Sequence, residues 1–423
     1  MKNNRNYYKS FALFWGIRMA YWLLTKPKFE MMHDPIRYIK LGHQIVEGNF
    51  DMDVGSFLTA PFYPWLLAVF TYLFGQWSLV CLSFFQITLE SLAGVFLLKM
   101  ASELYGNDKR LFKVITLLYA FNPTTFYYCY AIGQESIFQS TFIITLYFFI
   151  KTLSNDNSKD LIGFSVAFSI SFLTKSHILL AALFFIFNWF WQTKTYKAAA
   201  YKTFVFLTIT ILTTLPNGLY NLRKHNVYTL SSDGLAMYLY YGNSACAYQW
   251  VVKDDANYFN FPVRTNPDKA YQLLAQFVYF EEEGSQERLK KLPPYSERHR
   301  IYIDSTLSWI KQNPKKWLEI KAHSLAYFIQ PGIVKKIHVP FGKWIAALLS
   351  SSLLYGFGYY GLYLCYKEDK RKHFWIIGII LSLFIFAMVF GLLNRFRVIT
   401  FDPFILLYAG FGLCRMPLLR GVL

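Results

Sequence analysis

The chain has 423 residues, of which 55% are hydrophobic, 20% aromatic and only 16% charged. Soluble domains carry about 25% charged residues, so these proportions exclude an ordinary soluble enzyme and indicate a polytopic membrane protein. The net charge of +18 comes from basic residues in short loops between apolar runs, a positive-inside bias, and not from the separate basic patch of a nucleic-acid binder.

Each membrane span needs roughly 20 apolar residues. Runs near that length predict an all-α fold with ten transmembrane helices, near 8–24, 78–101, 111–131, 136–153, 161–175, 177–192, 203–220, 344–366, 373–393 and 399–416. The first run lacks a small-residue cleavage site after it, so it reads as a retained span and not a signal peptide. The loops holding "GNDKR", "NDNSK", "QTKTYK" and "YKEDKRK" then share one side with both termini. The positive-inside rule makes that side cytoplasmic and the chain a multi-pass protein of the plasma (inner) membrane. The outer face receives residues 25–77, turns at 131–136 and 175–177, the long segment 221–343 and the turn at 394–398. Three parts follow: an N-terminal transmembrane module (1–220) with its first outer loop at 25–77, an outer-face domain (221–343), and C-terminal transmembrane helices (344–423).

This parity requires that "PFYPWLLAVFTYLFG", 61–75, does not cross. The run has 15 residues and two prolines at its start, Pro61 and Pro64, and apolar runs this short are more often re-entrant or interfacial than spanning. In the first outer loop, "HDPIRYIKLGHQIVEG" (33–48) reads as an amphipathic helix. Asp34 takes the cap position, Pro35 the first turn, and Ile36, Ile39 and Ile45 are expected to face the membrane. In the outer domain, "PPYSERHRIYIDSTLSWIKQN" predicts a helix capped by Ser296. A second helix starts after Pro314, with lysines and aromatic residues suited to the interface.

Charged residues at the outer face run against the orientation bias, and ionisable groups at such positions are functional candidates. They are Lys175 in "FLTKSH", Glu135 in "AIGQES", and Arg395 and Arg397 in "NRFRVITFDP". Each also suits a side chain that snorkels to the interface, and Asp34 also suits a plain helix cap. Asp51 and Asp53 form a D-x-D pair of the kind that holds a divalent metal. His33, His43 and His177 lack ligand spacing. The five cysteines, without CxxC spacing, provide neither a metal signature nor a disulfide framework.

The order of motifs resembles the GT-C superfamily of membrane glycosyltransferases, near its protein O-mannosyltransferase and aminoarabinose-transferase branch. Asp34 and Tyr38, soon after the first span, resemble that family's catalytic first loop. "APFYPWLLAVFTYLFG" is similar to its proline-tyrosine-proline stretch, and "FNPTTFYYCYAIGQESIF" to its next outer loop, with Glu135 at the acidic position. "PNGLYNLRKHNVYTLSSDGLAMYLYYGN", containing Arg223 and Asn243, resembles the start of its outer domain. "NRFRVITFDPFILLYAG" resembles the entry to its last span. The resemblance implies transfer of a sugar from a polyprenyl-phosphate donor to a lipid, glycan or protein acceptor on the outer face, with inversion. It implies Asp34 as general base and Glu135 as a second acid that orients the acceptor or shares that work. Arg395 and Arg397 lead as phosphate ligands, with Lys175, Arg37 and Arg223 behind them. Tyr38, Tyr63 and Asn243 are implied as substrate-binding residues. A lipid-phosphate donor does not demand a metal, so no metal or cofactor is expected. A cell-envelope polysaccharide polymerase or ligase, or a lipid-linked sugar flippase, fits the same span pattern.

Overall fold

The computed structural model describes residues 2–25, 33–50, 59–122, 132–193, 195–232, 235–253, 295–330, 341–390 and 401–416. The described residues form helices and turns and no strand. Chain order gives α1 (Lys2–Thr25), α2 (His33–Val46), α3 (Phe62–Phe74), α4 (Ser78–Tyr105), α5 (Lys109–Ala120), α6 (Gln134–Ser154), α7 (Ser158–Thr174), α8 (Leu179–Gln192) and α9 (Tyr196–His225). Then follow α10 (Leu235–Gly242), α11 (Tyr295–Gln312), α12 (Pro314–Ile329), α13 (Phe341–Glu368), α14 (Phe374–Phe390) and α15 (Asp402–Arg415). Described helices overlap each of the ten apolar runs; residues 123–131, 391–393 and 399–400 of those runs lie outside the described residues. Among the described residues, three stretches, Phe62–Tyr105, Gln134–Ser154 and Tyr196–Lys224, are long and apolar enough to cross a membrane.

Side-chain pairs give the helix directions. Tyr7 meets Ser102 at 3.0 Å and Trp22 meets Phe84 at 5.1 Å, so α1 and α4 run antiparallel. Ser171 bonds Thr141 at 2.9 Å and Lys151 pairs with Asp160 at 3.1 Å, which makes α6 and α7 a hairpin. At one end of the bundle, Gln192 reaches the Arg371 carbonyl at 2.9 Å, Lys202 the Thr152 carbonyl at 2.5 Å, and Arg415 pairs with Glu368 at 3.4 Å. The four basic loops therefore gather at that end. Three helices start there on side-chain caps, each accepting backbone N–H groups that the helix leaves unpaired. Asp108 caps α5, Asn157 caps α7 and Thr195 caps α9. The opposite end carries α2, α3, the turn before α6 and the turn after α7.

Apolar burial drives little association in lipid, so close packing matters more. The α13–α15 contact shows this. A Cβ on Gly361 would collide with the Tyr408 carbonyl, and one on Gly412 with the Phe357 carbonyl, so the two backbones touch. Every residue of α15 from Asp402 to Gly412 is buried. Phe404 lies against Phe142 and Phe411 stacks on Tyr105. The last described helix thus stands in the centre of the bundle.

Within the first outer loop, the run 61–75 forms the 13-residue α3, closed at Gly75 (φ 52°) and followed by a 3₁₀ turn into α4. It folds back along the start of α4, with Tyr63 opposite Gln86 and Phe70 against Phe85. α2 lies on α3 so closely that a Cβ on Gly42 would come within 2.9 Å of Leu67. Three expectations need correction. α2 already includes His33, so Asp34 lies inside its first turn and not at the cap. Ile39 packs with Tyr38 and Tyr63 instead of facing the membrane, because Tyr38 and Leu41 turn that side of α2 onto α3. α11 already includes Tyr295, which places Ser296 inside the helix and not at the cap.

Candidate active site at the loop-bearing end

The site is built around Tyr63. Its ring is fully buried, meets Tyr38 edge-on at 5.2 Å, and carries a hydroxyl with two partners. That hydroxyl donates to Gln86 Oε1 at 2.9 Å and accepts the Gly133 N–H at 2.8 Å. Arg37 on α2 stands over the Tyr38 ring at 5.7 Å. Tyr63 therefore ties α3 and α4 to the turn that launches α6, and α2 rides on the same ring pair.

Glu135 follows two residues after Gly133, in the first turn of α6. Its carboxylate folds back over Gly133, where a Cβ would come within 2.8 Å of Oε2. A negative charge is favoured at this end of a helix by the exposed N–H dipoles. Lys175 extends from the C-terminus of α7 and pairs with Glu135 Oε1 at 3.1 Å, with side-chain exposures of 8% and 13%. His177, on the next turn, lies between Phe138 at 5.0 Å and Phe386 at 5.3 Å. Ser176 bonds Ser232 at 2.8 Å, which lays the segment after α9 over the same mouth.

Arg37, Tyr38, Tyr63, Glu135 and Lys175 thus form one continuous chain of contacts from residues far apart in sequence. Asp34 lies in the first turn of α2, the helix that carries Arg37 and Tyr38; its side chain is outside the described residues. Arg395, Arg397, Asp51 and Asp53 are also outside them. Arg223 is exposed at the end of α9, one turn from Tyr220, whose ring meets Phe50 at 6.5 Å; among the described residues no hydrogen bond or ion pair joins it to the others. Two of the residues implied as substrate-binding are committed to the protein itself. Tyr63 is used as above. Asn243, 2% exposed, donates to the Leu239 and Val389 carbonyls, both at 2.7 Å, and accepts from Trp317 Nε1 at 2.9 Å. It joins α10, α12 and α14 and offers no surface to a ligand. Beside it, Lys321 donates to the Gly242 carbonyl at 3.4 Å, and burial lowers its pKa to about 8.

Residues 59–220 match the family model of the dolichyl-phosphate-mannose-protein mannosyltransferases. The match supports the GT-C resemblance. The segment matched by the mannosyltransferase family runs from just before α3 to the end region of α9 and so contains Tyr63, Gly133, Glu135 and Lys175. A membrane glycosyltransferase of GT-C type is the class this supports. No curated protein matches the chain.

A buried cluster absent from the sequence expectations lies deeper in the bundle. Arg18 on α1 pairs with Glu90 on α4, and its Nη2 donates to Glu90 Oε1 at 3.0 Å. The same guanidinium donates to the Phe14 and Tyr119 carbonyls at 3.2 and 3.3 Å, while the Tyr119 hydroxyl donates to Glu90 at 2.6 Å. The signal was present: one charged residue inside each of "FALFWGIRMAYWLL" and "FFQITLESLAG", where charge is costly without a partner.

Among the described residues no group of three His, Cys, Asp or Glu side chains could hold a metal ion. Arginine and lysine at the mouth can instead meet a phosphate, and the carboxylates can take a proton.

Proposed function

We propose that the chain is an inverting glycosyltransferase that takes a sugar from a polyprenyl-phosphate donor on the outer face of the plasma (inner) membrane. The acceptor hydroxyl attacks C1 of the sugar from the side opposite the phosphate. The new C1–O bond forms as the C1–O bond to phosphate breaks, and the acceptor proton passes to the Asp34 carboxylate. A positioned base of this kind contributes about 100-fold or more. The departing lipid phosphate gathers negative charge, which fixed cations stabilise. Arg395 and Arg397 are assigned to it first, then Lys175, Arg37 and Arg223. Glu135 holds Lys175 in place and orients the acceptor.

The observation that carries this reading is the contact chain from α2 through Tyr38, Tyr63 and Gly133 to the Glu135–Lys175 pair. It brings the helix bearing Asp34 to an acid and a cation at one end of the bundle, opposite the basic loops. The packing of α3 against only the first turns of α4 supports a helix that dips in and returns, with both termini cytoplasmic and residues 221–343 forming the outer-face domain. The acceptor is a lipid, glycan or protein.

Two experiments test it. In a purified assay with polyprenyl-phosphate sugar, Asp34→Asn is expected to slow transfer at least about 100-fold while leaving insertion intact. Near-normal turnover would remove Asp34 as base. In a cysteine-free background, an impermeant thiol reagent should spare cysteines placed at Asn107 and Thr195 in intact cells and label those at Gln76 and Ser285. Labelling at Asn107 would mean that α3 crosses, and would carry Glu135 and Lys175 to the other face from Asp34.

A further inference from the structure

The start of α6 carries polar side chains that the mechanism above leaves unused. Ser136, Gln139 and Ser140 are 2%, 2% and 0% exposed. Among the described residues, neither amide atom of Gln139 has a hydrogen-bond partner, and neither serine hydroxyl has one. Helix hydroxyls elsewhere in the bundle behave differently. Thr141 and Thr145 on α6 bond the carbonyl four residues back, as do Ser165, Ser169 and Ser171 on α7. That is the usual outlet for a hydroxyl in an apolar helix, and Ser136 and Ser140 do not take it. Burying polar groups unpaired is unfavourable, and three such residues within two turns call for a ligand-side explanation.

Their location narrows the chemistry. Gln139 follows Glu135 by four residues, so the two are neighbours on one face of α6, with Cβ atoms about 5–6 Å apart. A pyranose ring is of that width. The stripe itself bears no charge, so it suits a neutral ligand. A Gln amide offers donors and an acceptor together, which matches hydroxyl groups that both donate and accept.

We propose that Gln139, flanked by Ser136 and Ser140, binds hydroxyl groups of the sugar being transferred and so sets which sugar the enzyme accepts. This rests on the glycosyltransferase reading. A site that hydrogen-bonds a substrate hydroxyl strongly rejects the analogue lacking it, because its own polar groups are then left unpaired.

The test uses the purified full-length protein, the polyprenyl-phosphate hexose that it accepts, and the mono-deoxy analogues of that donor. Wild type is expected to prefer the parent sugar over at least one deoxy donor by about tenfold or more in kcat/KM. Q139L should lose about that factor on the parent sugar, abolish the preference at that one hydroxyl, and keep the preferences at the others. Its thermal midpoint should stay level or rise, since it removes an unpaired buried amide. Q139N should recover part of the discrimination. If Q139L folds poorly, the S136A/S140A double variant carries the same readout. Unchanged discrimination in either variant overturns the proposal and leaves the stripe a solvent-filled or purely structural feature. A wild-type protein that transfers no sugar from any polyprenyl-phosphate donor would overturn the glycosyltransferase reading itself, a result distinct from transfer without discrimination.

Discussion

Among the described residues, two pairs of opposite charge are buried on both sides, and they are built differently. Arg18 and Glu90 sit inside helices, with 0% and 2% side-chain exposure, and every neighbour adds a bond: two carbonyls, a tyrosine hydroxyl and two aromatic rings. Glu135 and Lys175 sit at helix ends, 13% and 8% exposed, and pair at 3.1 Å beside turns. Bonded in this way inside the bundle, the Arg18–Glu90 pair joins α1, α4 and α5. A pair at a mouth can exchange one partner for a ligand. The difference shows that burial alone does not separate a charge that joins helices from one at a helix end.

The comparison breaks most easily at the sealed pair. Arg18→Met leaves Glu90 buried without its partner and is expected to cost about 3–5 kcal/mol, read as early thermal unfolding in detergent or loss of protein from membranes. The double variant R18M/E90L removes both charges and should recover most of that loss. An R18M protein as stable as wild type would mean that the pair does not join these helices.

At the mouth the pattern should invert. Glu135→Gln is expected to slow transfer about 100-fold and to cost only about 1 kcal/mol of stability. A stability loss as large as that of R18M, with normal turnover of the folded fraction, would make Glu135–Lys175 a second structural pair.

Between these extremes lies Tyr63→Phe. It removes a hydroxyl that bridges Gln86 and Gly133 and is expected to cost about 1–2 kcal/mol. It should slow transfer less than Glu135→Gln, because it acts only by loosening the turn that carries Glu135. A variant with wild-type stability and rate would show that the Tyr63 bridge does not position the site.

The smallest effect concerns Lys321, a buried cation away from both pairs. Burial lowers its pKa to about 8 from 10.5. Between those values the unfolded chain binds this proton more fully than the folded one, so stability rises with pH through that window. Wild type should therefore gain thermal stability relative to K321M as pH rises from about 7 to about 10. A difference independent of pH would mean that Lys321 stays charged when folded.

Much of the frame was legible in the sequence. The apolar runs overlap described helices because apolar composition and helix length are local properties. The amphipathic helix at 33–46 and the helix from Pro314 were equally local, set by a proline start and a 3.6-residue period. Glu135 and Lys175 stood out as charges in short turns between spans, but their 3.1 Å contact did not, since 40 residues separate them. Arg18 and Glu90 lie 72 residues apart, and no local pattern links one to the other. Asn243 misled for a related reason. A polar residue at a family-like position looks ready for substrate, and only packing reveals that Trp317 and Val389 use it fully.

The central position of α15 has a consequence for how the protein is made. Helices enter a membrane in the order in which they are synthesised, yet this one, after all other described helices in the chain, fills the middle of the bundle. Until it arrives, Phe142, Tyr105 and the glycine face of α13 surround an unfilled centre. The earlier helices must therefore wait as a loose ring, wide enough to admit a helix, and close only when α15 has slid against Gly361 at backbone contact. Assembly is then a late, concerted step, and a quality-control protease would meet an open ring for as long as synthesis is incomplete.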